Sequence, residues 1–300
     1  MGNIKIHSVG MRDGLQMEKT VVPFETKLNW IDQLIQAEVD LIQVGSFVHK
    51  EKVPQMADSD ELFIEINKKY PNRKTLFSGL VLNERGLERA LNCNVDLICF
   101  GVSASETHSN KNTGMSVDDA VQRIIKMAVD MQKAGKKYQV SVQSAFGCGF
   151  EGDIDENKVY SIVDKYLEAG IKFISLADTA GFANPQQVKR MYSTIKAKAP
   201  EIDLACHFHN TYGMGIANCY AAYEAGVNYF EAAFGGLGGC PFTKKAAGNV
   251  ATEDLVEMFQ NFGIIKNINQ TKLIELGKAV SEFFGRELPG YVYKVGPIKH

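Results

Sequence analysis

Apolar residues recur along this chain in two alternating rhythms. Runs in which nearly every position is apolar read as strands buried on both faces: IKIHSV (4–9), LIQVG (41–45), TLFSGLV (75–81), DLICFGV (96–102), QVSVQSAF (139–146), FISLAD (173–178), LACHFHN (204–210) and YFEAAFG (229–235). Between them apolar positions return every three or four residues. That spacing predicts amphipathic helices over 25–37, 58–69, 117–134, 155–169, 185–198, 215–225 and 252–262. Ala169-Gly170 and Ala225-Gly226 supply stop signals, and Asn184-Pro185 supplies a start.

Eight βα units in succession, with no linker between them, predict a (β/α)8 TIM barrel over about residues 4–265, in a single domain spanning 1–300. An additional C-terminal helix at 272–284 lies within an extension of about 270–300, and the tail from Arg286 reads as irregular. A doubly wound open sheet would call for a glycine-rich phosphate turn after the first strand, and GMRDGLQ is not that turn. In a barrel the site forms at the C-terminal strand ends.

Composition acts here by exclusion. A net charge of −2 gives no sign of a nucleic-acid or membrane surface, and no apolar run is long enough to span a bilayer. The opening MGNIKIHSVGMRDG reads as neither a signal nor a transit peptide. The six cysteines form no CxxC pair, as expected of reduced thiols in a cytoplasmic protein.

Polar residues cluster at the predicted strand ends. His207 and His209, two apart on one strand, point the same way, so both imidazoles can reach one metal ion. Asp13 is a turn residue before Gly14 or, at the mouth opposite the histidines, a carboxylate ligand. Asn249 caps the next helix or offers an amide oxygen. Two imidazoles with Asp and Asn favour Mg2+ or Mn2+ over a structural zinc site. Arg12, beside a metal, can stabilise an oxyanion or enolate. Asp178 is either a cap for the segment after its strand or a site carboxylate. Cys240 lies in GGLGGCPF, a glycine-rich loop suited to closing over a bound molecule, and a thiol there can protonate a carbanion.

RDGLQ (12–16), SFVHKEKVPQMAD (46–58), SASETHSNKN (103–112), SLADTAGFANP (175–185), HFHNTYGMGIAN (207–218) and GGLGGCPFTKKAAGNVATEDLV (235–256) resemble the 3-hydroxy-3-methylglutaryl-CoA lyase family over nearly the whole chain. The resemblance implies a retro-Claisen lyase, or the reverse condensation, acting on a 3-hydroxyacyl-CoA thioester. It places a divalent metal on Asp13, His207, His209 and Asn249, makes Arg12 the enolate stabiliser and makes Cys240 the loop thiol that assists proton transfer. It also implies a homodimer, and Lys19 is the candidate for a CoA phosphate contact.

The chain departs from the family at Ser8, Met11, Gln43 and Asn210, where the lyase pattern has Glu, Pro, Glu and Asp. Gln43 replaces a carboxylate that normally faces the arginine. Losing carboxylates at 8 and 43 is expected to leave Arg12 less neutralised, either without consequence, or freeing it to hold a substrate anion, or with loss of catalysis. A Claisen-type synthase and a non-catalytic CoA-ester-binding protein are the competing functions.

Overall fold

The computed structural model describes residues 4–239 and 248–299. Eight parallel strands close into a barrel in sequence order: β1 (Lys5–Ser8), β2 (Leu41–Ser46), β3 (Leu76–Val81), β4 (Leu97–Ser103), β5 (Lys137–Gln143), β6 (Phe173–Asp178), β7 (Asp203–Phe208) and β8 (Tyr229–Ala232). The seam pairs β1 with β8, from Lys5 opposite Tyr229 to Ser8 opposite Ala232. Every predicted strand is present. Closure leaves no edge strand, because β1 takes both β2 and β8 as neighbours.

Helices cover the outside over Phe24–Gln36, Ser59–Lys69, Val117–Lys133, Glu156–Glu168, Pro185–Lys198, Gly215–Glu224, Thr252–Asn261 and Gln270–Phe284, close to the predicted spans. Ser116, Asp155 and Asn184 cap three of them by accepting a backbone N–H. Trp30 on the first helix packs edge-on against Phe234 and Phe283, which fastens the C-terminal helix to the barrel. Two further helices, Glu84–Asn92 and Glu106–Thr113, lie outside the predicted spans. The tail is not irregular throughout. Val292–Val295 forms a helical turn held by Asp254, which accepts from the backbone N–H groups of Tyr291 and Val292. Among the described residues no helix is long and apolar enough to cross a membrane.

Strand alternation sorts the lumen into layers. At the N-terminal end Leu41, Leu76, Leu97, Phe173 and Tyr229 form an apolar floor. Above it lies a polar layer of His7, Gln43, Ser78, Gln139, Ser175 and Glu231, with Cys99. Its members pair with one another: the His7 Nε2 to Ser78 Oγ distance is 2.7 Å, Gln139 Nε2 donates to Glu231 Oε1 at 3.0 Å, and Cys99 Sγ donates to Gln139 Oε1 at 3.4 Å. Buried polar groups are tolerated where they find such partners.

Candidate active site

The chain after β1 turns through one wide π-helical turn, Gly10–Gly14. The Val9 carbonyl receives the N–H groups of Arg12, Asp13 and Gly14 at 3.1, 2.8 and 3.3 Å. This widened turn, of a kind often found at functional sites, projects Arg12 and Asp13 together over the barrel mouth.

Opposite it, β7 carries His207, and His209 follows one residue past the strand. The backbone of residues 248–250 lies alongside: Asn210 N–H donates to Gly248 O at 2.9 Å and Val250 N–H to Phe208 O at 3.1 Å, setting Asn249 beside His209. Asn249 therefore does not cap the next helix, whose N-cap is Ala251. Its Nδ2 instead donates to Asp13 Oδ2 and to Leu237 O, both at 2.9 Å. Gly238, at φ +112°, has to be glycine, since a Cβ there would stand 2.5 Å from that same Nδ2.

Asp13, His207 and His209 are all buried, and their donor atoms lie within 4.8 Å of one another. Asp13 Oδ2 stands 3.7 Å from His207 Nε2 and 3.5 Å from His209 Nε2. Ligands about 2.1 Å from a common dication stand about 3 Å apart at right angles, so this spacing is close to that of a coordination shell. Among the described residues neither His209 ring nitrogen nor Asn249 Oδ1 makes a hydrogen bond, although all are buried. An unpartnered His209 Nε2 facing a buried carboxylate fits a divalent cation held by Asp13, His207 and His209, with the Asn249 amide alongside.

Arg12 donates through Nε to Gln43 Oε1 and through Nη1 to Asp13 Oδ1, both at 2.5 Å. With serine at 8 and glutamine at 43, Asp13 is the carboxylate that pairs with Arg12. Burial works to raise the Asp13 carboxyl, but Arg12 and then the two imidazoles outweigh it and hold the group well below its usual range. Ser8 does not line the cavity: it lies out of phase with lumen-facing His7, and its hydroxyl is buried without a partner among the described residues. Met11 is part of the hydrophobic core. Asn210 accepts from Gly215 N–H at 2.9 Å, a turn-closing role at the head of helix Gly215–Glu224.

Asp178 reaches the end of β6 but stays out of the cavity. Its two oxygens accept the backbone N–H groups of Phe182 and Ala183, at 2.8 and 3.1 Å, so the geometry favours the capping alternative. Burial pushes its pKa up to about 6, against those two N–H groups and the nearby imidazoles. Lys19 is exposed on a neighbouring cleft of about 400 Å3 bounded by Gly236–Gly239 and Arg286. Cys240 lies outside the described residues.

The cavity itself, about 270 Å3, extends from Arg12, Asp13 and the histidines to an apolar wall of Val48, Val53, Leu80 and Leu82. Sequence reasoning missed Glu231, whose Oε2 stands 3.1 Å from His207 Nδ1. Burial disfavours the imidazolium of His207, yet Glu231 and Asp13 outweigh burial and raise its pKa. The available signal was a lone carboxylate in the apolar strand YFEAAFG, in phase with the lumen-facing positions.

A family model described as HMGL-like matches residues 3–280. The chain is 36% identical over 286 residues to hydroxymethylglutaryl-CoA lyase YngG of Bacillus subtilis, covering 95% of each. It is 35% identical to (R)-citramalyl-CoA lyase of Chloroflexus aurantiacus, covering 99% of this chain and 96% of the relative. It superposes on an HMG-CoA lyase of A. baumannii, solved with coenzyme A and 3-methylmalate, with a TM-score of 0.91 and 39% identity over 98% of this chain and 95% of that one.

Proposed function

The chain belongs to the HMGL-like family, and we propose the reaction that this membership and the site support together. As a lyase of that family it cleaves a 3-hydroxyacyl-CoA by retro-Claisen chemistry, giving an acyl-CoA and a carbonyl compound. The observation that carries this reading is the convergence of Asp13, His207 and His209 with Arg12 at the mouth of one cavity, with Asn249 hydrogen-bonded to Asp13.

A bound dication, Mg2+ or Mn2+, would be held by Asp13, His207, His209 and Asn249 and would supply Lewis acidity toward the substrate's 3-hydroxyl and carboxylate oxygens. Arg12, with Nε and Nη1 fixed by Gln43 and Asp13, keeps a preset guanidinium for the negative charge that develops on the thioester oxygen as the C–C bond breaks. Val48, Val53, Leu80 and Leu82 exclude water from that enolate. A base takes the 3-hydroxyl proton as the C–C bond breaks, and Cys240 is the proposed proton donor to the enolate carbon. Lys19 and Arg286, on the cleft beside Gly236–Gly239, are the proposed contacts for the CoA phosphates. The homodimer and the cytoplasmic location belong to the same proposal.

The relatives named for hydroxymethylglutaryl-CoA and (R)-citramalyl-CoA set the esters to test first. The experiment is a panel of 3-hydroxyacyl-CoA esters with Mg2+ or Mn2+, read by mass spectrometry. An acyl-CoA and a keto acid appearing together from one ester supports the lyase. Ester binding without product from any ester, with either metal, would leave a CoA-ester-binding protein.

A further inference from the structure

We propose that Glu231 is a positioning residue for the ion-binding set, acting through His207; this rests on the reading of Asp13, His207, His209 and Asn249 as ligands. Glu231 points into the lumen from β8 and is buried. Its Oε1 is held from two sides, by Gln139 Nε2 on β5 at 3.0 Å and by Ser175 Oγ on β6 at 3.5 Å. Its Oε2 faces His207 Nδ1 at 3.1 Å.

An ionised carboxylate can only accept hydrogen bonds, so Nδ1 must carry the ring proton. In the neutral ring that binds an ion, this leaves the lone pair on Nε2, the nitrogen that faces Asp13 Oδ2 at 3.7 Å. A carboxylate behind a ligating imidazole fixes both its tautomer and its ring orientation. His7, whose Nδ1 lies 3.9 Å from Glu231 Oε1, does not compete for this carboxylate as a cation, since burial lowers its pKa to about 4.

The two histidines are therefore unequal. His209 has no hydrogen bond on either ring nitrogen among the described residues, so nothing there presets its tautomer. Glu231 makes His207 the preset member of the pair, and without it neither imidazole is fixed by a hydrogen bond among the described residues.

The test uses MnCl2 alone, titrated calorimetrically into the full-length wild type, E231Q and E231A. We expect E231A to bind Mn2+ about 10- to 100-fold more weakly. E231Q should lose about fivefold, because a neutral amide oxygen still accepts from Nδ1. Electron spin echo modulation of bound Mn2+ should count two coupled imidazole nitrogens in wild type and fewer in E231A. Wild-type affinity in E231A, or weakened binding with both imidazoles still coupled, would overturn the role. If the alanine variant does not fold, E231Q carries the test, and wild-type affinity there would overturn it. A wild type that binds no Mn2+ would overturn the ion reading as well, so the two failures are distinguishable.

Discussion

Glu253 offers a test of the electrostatics that hold the glycine run in place. It sits in the first turn of helix Thr252–Asn261, fully buried, and both its oxygens accept the N–H of Gly235, at 3.0 and 3.1 Å. Burial, with Asp254 adding to it, pushes its pKa up to about 8 from 4.5, against the opposing pull of the backbone N–H groups. The unfolded chain ionises this carboxyl near pH 4.5, whereas the folded chain keeps its proton until near pH 8. Between those values the unfolded state binds fewer protons, so stability falls as pH rises. Glu253→Gln keeps the size and an acceptor for Gly235 but cannot ionise. Linkage gives a wild-type loss relative to this variant of about 3 kcal/mol between pH 5.5 and pH 8.5. For a chain of this length that corresponds to about 5 °C in melting temperature. Calorimetric scans of both proteins at the two pH values measure it. A melting-temperature gap that stays constant with pH, or that moves in the wild type's favour as pH rises, would refute the reasoning.

Arg12→Met should lower kcat by about 10²- to 10³-fold, the usual cost of removing one preorganised charge stabiliser, with a smaller change in KM; steady-state kinetics on the cleaved ester measure both. Asn249→Ala removes the amide that ties Asp13 to Leu237 and should weaken Mn2+ binding about tenfold or more by calorimetry. Cys240→Ser should reduce turnover by more than about tenfold at unchanged metal content; wild-type-like turnover would remove the thiol from the mechanism.

The barrel was legible because parallel strands covered by helices must be apolar on both faces, and that leaves unbroken runs such as LIQVG and FISLAD. Glu84–Asn92 carries helical spacing in Leu87, Ala90 and Leu91, but over only nine residues that short period is easily passed over. Glu106–Thr113 escaped because its buried residues are His108 and Ser109, which carry no apolar signal. His207 with His209 was readable from strand alternation alone. Asp178 was not, since a carboxylate at a strand end looks the same in sequence whether it turns to the cavity or to the backbone of Phe182 and Ala183. Reading Ser8 as a neighbour of Arg12 failed because the pleat sends it away from the lumen that His7 enters. Glu231 and His7 stayed hidden inside apolar runs; setting all eight strands in phase would have exposed them, together with Ser78, Gln139 and Ser175, as one layer.

The hydrogen bond between Asn249 and Asp13 joins residues 236 positions apart. As a nascent chain leaves the ribosome, Asp13 emerges first and waits through nearly the whole of synthesis for that amide. His207 and His209 also follow only after two thirds of the chain is made, so half-made chains hold none of the three residues that Asp13 later meets. The site is thereby completed only in molecules whose last stave can close against the first.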